Sequence, residues 1–158
     1  MTFVSIKEAM KQGTGDVAIR GWVYRVRTSK GLGFILVRDG SSIIQCVVEK
    51  DSVSEQVWTD TEKLQIESSL AVTGTIKPDE RAPGGYEIKL TGLDVTQFSD
   101  KYPIQKDLSE EFLLDVRHLW LRSKKMTAIM KIRATILQSF REHYQEEEIY
   151  HLLQALTS

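Results

Sequence analysis

Five stretches between Val17 and Phe98 alternate apolar and polar residues at every second position, the period of a strand with one face buried. They span Val17 to about Thr28, Gly33–Arg38, Ile43–Glu49, Ser69–Lys77 and Tyr86–Phe98. Ahead of them, Ser5 and Glu8 have the spacing of a capping box, which predicts a short helix over 6–11 ended by Gly13 and Gly15. The first strand is long, and Gly21 in its middle predicts a bulge or bend that lets it serve both sides of a closed sheet. Gly31 and Gly33 bracket a turn after Lys30, Asp39-Gly40 is a hairpin signal, and PDERAPGG is a turn-rich loop before the last strand. From Ser54 to Glu67 the period changes: Val57, Trp58, Leu64 and, less regularly, Ile66 form a helical stripe.

Five strands with a helix between the third and fourth is the order of an OB-fold barrel, an all-β architecture. Beyond Phe98 comes a polar connector, SDKYPIQKDLSEE, in which Pro103 stops any helix, then FLLDVRHLWLRS. From about Lys124, Met126, Ile129, Met130, Leu137, Phe140 and Tyr144 recur at three- and four-residue steps without Gly or Pro, which predicts a long amphipathic helix. Ile149, Leu152, Leu153 and Leu156 keep helical spacing, so the helix is expected to continue through them. The expected organisation is therefore a barrel over 1–98, a linker or hinge over 99–122, and a helical segment over 123–158. No second helix in the chain is available to cover the apolar stripe of this last segment.

At 158 residues and 41% hydrophobic content the chain has room for one domain with a real core plus an appendage. Its net charge of -1 says little about partners, but the distribution does. Residues 1–50 carry eight Lys or Arg against four Asp or Glu, so the positive charge gathers where the sheet begins. Cys46 is the single cysteine, which excludes an internal disulfide and a cysteine-cluster metal site, and its place between Ile44 and Val48 in strand register marks it as a small buried hydrophobe. The first eleven residues hold lysines and a glutamate and no continuous apolar stretch, and no run approaches membrane-spanning length. A cytoplasmic protein with no membrane partner is expected.

The alternation also sorts side chains by face. If Ile35, Val37, Ile44, Cys46 and Val48 fill the barrel, Phe34 and Gln45 point outward together. An outward ring can stack on a nucleobase, and an amide offers donor and acceptor to a base edge. Arg25 and Arg27, two apart on the first strand, would line the same groove and hold phosphate, with Lys30 beside them. The other reading of the same pattern puts Phe34 in the core and makes the arginines a solvated face; strand faces alone leave both open. His118, His143 and His151 are far apart in sequence; His143 and His151 fall two turns apart on one helix face, but no third ligand accompanies them and they read as surface histidines. Glu146–Glu148 is a solvated acidic run, and no nucleophile motif is present. No catalysis is expected within this chain.

GWVYRVR, GLGFILVRDG, IIQCVV, KPDERAPGGYEI and LLDVRHLWLRS ahead of a long helix resemble, in order and spacing, the N-terminal part of asparaginyl-tRNA synthetases, class II enzymes of the aspartyl, asparaginyl and lysyl subgroup. The resemblance runs over residues 16–145; His118-Leu119-Trp120 and APGGYEI favour the asparaginyl branch. It implies that Phe34 stacks on the central uridine of a tRNA anticodon, that Gln45 hydrogen-bonds that base, and that Arg25 and Arg27 contact the anticodon loop. It further implies that Arg117, His118 and Arg122 lie in the hinge near the tRNA and that the helix from Lys124 packs at a homodimer interface. The full-length family attaches asparagine to tRNA with ATP and magnesium; the residues that bind them have no counterpart here, so the chain alone holds no cofactor and is expected to be inactive. EEEIYHLLQALTS departs from the family's glycine-containing turn and proline-ended strand, which suggests a truncated or frameshifted product or a fragment. The alternatives are a fragment of an aspartyl-tRNA synthetase and a stand-alone OB-fold module for single-stranded nucleic acid.

Overall fold

Ser5 accepts a hydrogen bond from the backbone N–H of Glu8, and the Glu8 carboxylate accepts one from the backbone N–H of Ser5 at 2.8 Å. This reciprocal cap opens helix α1 (Ile6–Gln12), in a computed structural model that describes residues 2–104 and 109–146. The chain divides into two units, Met1–Pro103 and Ile104–Ser158.

In the first unit the strands are β1 (Gly15–Ser29), β2 (Leu32–Arg38), β3 (Ile43–Glu49), β4 (Ser69–Pro78) and β5 (Tyr86–Gln97). Helix α2 (Glu55–Lys63) lies between β3 and β4, its N-terminus capped by Ser54. The strands close into a barrel in the order β1-β2-β3-β5-β4; β3 and β5 run parallel and the other described pairings are antiparallel. This is the closed five-stranded OB-fold that the element order predicts.

The interior is built by one face of every strand: Val17, Ile19 and Val23, then Ile35 and Val37, then Ile44, Cys46 and Val48, then Leu70, Val72 and Ile76, and finally Ile88 and Leu90, all buried. Ile6 and Ala9 of α1 and Trp58 and Leu64 at α2 complete the core. Burial pushes the Cys46 thiol up to about 12, so it stays a neutral hydrophobe, as its register indicates.

The first strand serves two neighbours. Gly15–Trp22 pair with β4 and Trp22–Ser29 pair with β2. The bulge that permits this falls at Tyr24, between Val23↔Val37 and Arg25↔Leu36, and not at Gly21 as the glycine suggests. Gly21 is required for a different reason: a Cβ there would lie 2.2 Å from the Arg38 carbonyl oxygen, so the glycine lets two backbones approach. Between β1 and β2 the turn is Lys30-Gly31, with φ of 45° and 82°. Positive φ at both central residues is what a two-residue type I′ hairpin turn requires.

In the second unit, the linker segment holds two short helices that the sequence reading did not expect, α3 (Glu110–Asp115) and α4 (Arg117–Trp120). The long helix α5 spans Lys124–Glu146 and buries none of its residues; Ile132, Ile136, Leu137 and Phe140 stand exposed on it. The expected continuation through Ile149 and Leu156 lies outside the described residues.

Candidate nucleic-acid interface

The Tyr24 bulge decides which way the arginines face. Strict alternation from Val23 would turn Arg25 and Arg27 inward; the extra residue resets the phase, so Val26 packs against the core while both arginines stand outside. The outer wall is then read as rows of cross-strand partners. One row runs Arg27, Phe34, Val47, Lys89, and the next runs Arg25, Leu36, Gln45, Glu87.

Phe34 and Gln45 are thus on one outward face, diagonal neighbours in adjacent rows, with Ile35, Ile44 and Cys46 behind them in the core. The reading that places Phe34 inside the barrel is excluded. The ring is half-buried, and the Arg27 guanidinium stacks on it, 4.6 Å from guanidinium carbon to ring centroid. Gln45 Nε2 donates to Glu87 Oε2 at 3.4 Å, a long bond that leaves the amide oxygen for another donor.

Electrostatics differ across the face. On the β5 side charges are matched: Lys77 Nζ lies 3.0 Å from Glu87 Oε1, and Lys89 Nζ 2.8 Å from Glu49 Oε2. Hydrogen bonds and charge from Lys89, with a bond from Ser52, hold the Glu49 carboxyl below its ordinary value. On the β1 side, among the described residues, no carboxylate forms an ion pair with Arg25 or Arg27. Two unmatched cations beside a ring and an amide suit a polyanion whose bases are unpaired.

Lys30 is exposed at the tip of the β1–β2 hairpin, beyond the Arg27–Phe34 row. Arg117 and His118 lie on α4 of the second unit with Arg122 just after it, and all three side chains are exposed. Among the described residues no cluster of His, Cys, Asp or Glu is arranged to hold a metal ion, and no helix is long and apolar enough to cross a membrane.

Glu87, which strand alternation did not single out as a site residue, is 8% exposed yet sits on the outward face among basic residues. Its signal is present in Tyr86-Glu87-Ile88-Lys89-Leu90, where alternation sets Glu87 and Lys89 opposite the buried Ile88 and Leu90. Only the parallel β3–β5 pairing brings Glu87 to Gln45.

A family model described as an OB-fold nucleic acid binding domain matches residues 17–96, the five strands and α2. The chain belongs to that family. The asparagine–tRNA ligase of Thermoplasma acidophilum is 50% identical over 136 residues, 86% of this chain and 32% of that protein. The asparagine–tRNA ligase of Thermococcus kodakarensis is 46% identical over the same length, covering 31% of that protein. The crystal structure of asparaginyl-tRNA synthetase from Pyrococcus horikoshii complexed with asparaginyl-adenylate superimposes with a TM-score of 0.83 at 36% identity, over 93% of this chain and 35% of that one. The chain spans about a third of the length of the relatives it matches, and it corresponds to their N-terminal part, OB-fold domain included.

Proposed function

We propose that the barrel binds the anticodon loop of an asparagine tRNA and reads its middle base, as the anticodon-binding part of an asparagine–tRNA ligase. The observation that carries this is the shared outward face of Phe34 and Gln45, flanked by the unmatched cations Arg25 and Arg27. In the free protein Arg27 covers the Phe34 ring. An arriving uracil takes the guanidinium's place on the ring, and Arg27 turns to the phosphate beside it. Gln45 then meets the uracil edge, its oxygen accepting from N3–H and its N–H donating to a carbonyl, while Glu87 holds the amide from behind. Arg25 and Lys30 bind phosphates on either side, supplying affinity that falls with salt but carries no base preference.

Arg117, His118 and Arg122 belong to the same proposal as contacts of the hinge to the tRNA above its anticodon. In the whole ligase, ATP and magnesium serve a catalytic domain that these 158 residues do not span, and α5 packs at a homodimer interface there.

The decisive experiment compares a hairpin RNA whose loop carries GUU with the same hairpin changed at the middle base. The wild-type chain is expected to prefer the uridine, and the preference is expected to vanish in Gln45→Ala. Equal binding of both hairpins by the wild type would identify a single-strand binder without anticodon preference.

A further inference from the structure

The rows of the outer wall do not stop at Arg25 and Leu36. The next outward pair is Trp22 and Arg38, and beyond it on β1 comes Arg20. Trp22 is 45% exposed, an unusual fraction for an indole on a barrel whose core is already closed without it.

The ring is nevertheless held. The Arg38 guanidinium stacks on it at 5.5 Å, and Arg38 Nη2 donates to both carboxylate oxygens of Glu67, at 2.6 and 2.8 Å. Glu67 takes a φ of 72°, a backbone conformation that an L side chain rarely adopts, and its N–H donates to the Val23 carbonyl at 2.7 Å. An exposed aromatic fixed by an ion pair on a strained residue is an arrangement kept for a surface role rather than for the core.

Beside Trp22 is a groove of about 540 Å³, lined by Phe3, Arg20, Trp22, Ser69 and Thr96 among others. Arg20 stacks on Phe3 at 5.2 Å, and no carboxylate among the described residues pairs with Arg20. Asp39, the acid that lines the groove, is engaged by the N–H groups of Ile6, Ser41 and Ser42. Two rings, an arginine without a carboxylate partner and the hydroxyls of Ser69 and Thr96 suit a nucleoside monophosphate unit in a space of small-ligand size.

We infer that the Trp22 groove is a second stacking position for the same RNA, taking an unpaired loop nucleotide beyond the base read at Phe34 and Gln45. The nucleobase lies on Trp22, Arg20 binds its phosphate, and Arg38 with Glu67 are positioning residues for the indole. Continuity selects this occupant: across the Tyr24 bulge the Trp22 row is the next outward row after the Arg25 row, so a strand of RNA laid along β1 leads to it. The inference rests on the proposed anticodon reading.

The test measures binding of the GUU-loop hairpin and of the same hairpin made abasic at each loop position in turn, with Trp22→Ala, Trp22→Phe, Arg20→Ala and Phe34→Ala. Trp22→Ala is expected to weaken the intact hairpin about five- to a hundredfold, and Trp22→Phe, which keeps a ring, by less. On the RNA lacking the stacked base the Trp22→Ala loss is expected to disappear. Arg20→Ala, on an exposed side chain that leaves the core intact, is expected to reduce the slope of log affinity against log salt by about 0.7. Undiminished binding by Trp22→Ala, a loss of the same size on every abasic RNA, or an unchanged salt slope in Arg20→Ala would each overturn the second position. If Trp22→Ala does not fold, Trp22→Phe and Arg20→Ala decide the matter by the same criteria. Phe34→Ala separates the two claims: its failure to weaken the intact hairpin removes the anticodon reading, whereas a Phe34 loss with no Trp22 loss removes only the groove.

Discussion

Arg27 and Phe34 face each other across the β1–β2 pair and also stack, so the ring that would receive a base is covered by the cation that would hold its phosphate. Removing either side chain therefore has a different signature. Phe34→Ala is expected to weaken hairpin binding by about 1–3 kcal/mol at any salt concentration, because stacking is lost. Arg27→Ala is expected to lower the salt slope by about 0.7. Isothermal titration over a range of salt concentrations distinguishes the two; a Phe34→Ala loss that vanishes at high salt would contradict the stacking role.

Glu87 joins Gln45 to Lys77 and so aligns the amide. Glu87→Ala frees Gln45 to rotate and leaves Lys77 without its partner. The expected result is reduced discrimination between uridine and cytidine at the middle position, by up to about 1–3 kcal/mol, with smaller change in affinity for unspecific single strands. Competition binding with the two hairpins reads this directly.

Lys30 occupies a left-handed backbone position at the hairpin tip, which in an L residue other than Asn or Asp costs about 1–2 kcal/mol. Lys30→Gly is expected to raise thermal stability slightly, the gain being offset in part by the greater freedom of glycine in the unfolded chain. The same change removes a phosphate contact and is expected to weaken RNA binding. A melting curve and a binding curve moving in opposite directions would support both assignments; a lower melting temperature would refute the strain.

Asp39 ties the β2–β3 loop to α1. One carboxylate oxygen accepts from the Ile6 N–H at 2.8 Å, and the other accepts from Ser41 and Ser42. Burial pushes its carboxyl up, but the bonds from Ile6, Ser41 and Ser42 outweigh this and hold it below its ordinary value of 3.8. A carboxylate with a depressed folded pKa contributes stability that is complete above the ordinary value and is lost as the pH falls through the depressed one. Denaturant titrations at a series of acidic pH values are expected to show this loss in the wild type and a shallower one in Asp39→Ala, which is itself less stable by about 1–3 kcal/mol at neutral pH.

Gly21 and the Arg38 carbonyl come so close that any Cβ at position 21 must push β1 away from β2. Gly21→Ala is expected to lower the melting temperature clearly and to weaken RNA binding along with it, since Trp22, Arg25 and Arg27 lie on the displaced strand. Wild-type stability in that variant would show that the strands yield freely there.

Much of this protein is written in local pattern. The capping box at Ser5 and Glu8, the limits of β3, the helix between β3 and β4, and the grouping of Ile35, Val37, Ile44, Cys46 and Val48 on one face follow from periodicity and turn chemistry, which act over a few residues. That Phe34 and Gln45 share a face follows from them. The location of the bulge does not, because Gly21 and Tyr24 are both plausible places for an extra residue, and the choice is made by β2 and the 67–68 backbone pairing against Val23. The phase of Arg25 and Arg27 depends on that choice. The approach of Glu87 to Gln45 and of Glu67 to Arg38 likewise needs strands and loops distant in sequence to close the barrel, at separations of 42 and 29 residues. The chain by itself determines its strands and, where no bulge intervenes, which residues share a face, since side-chain alternation is a property of neighbouring residues; closure of the sheet decides which face is inward and which outward residues meet, since a barrel's rows run across the chain and not along it.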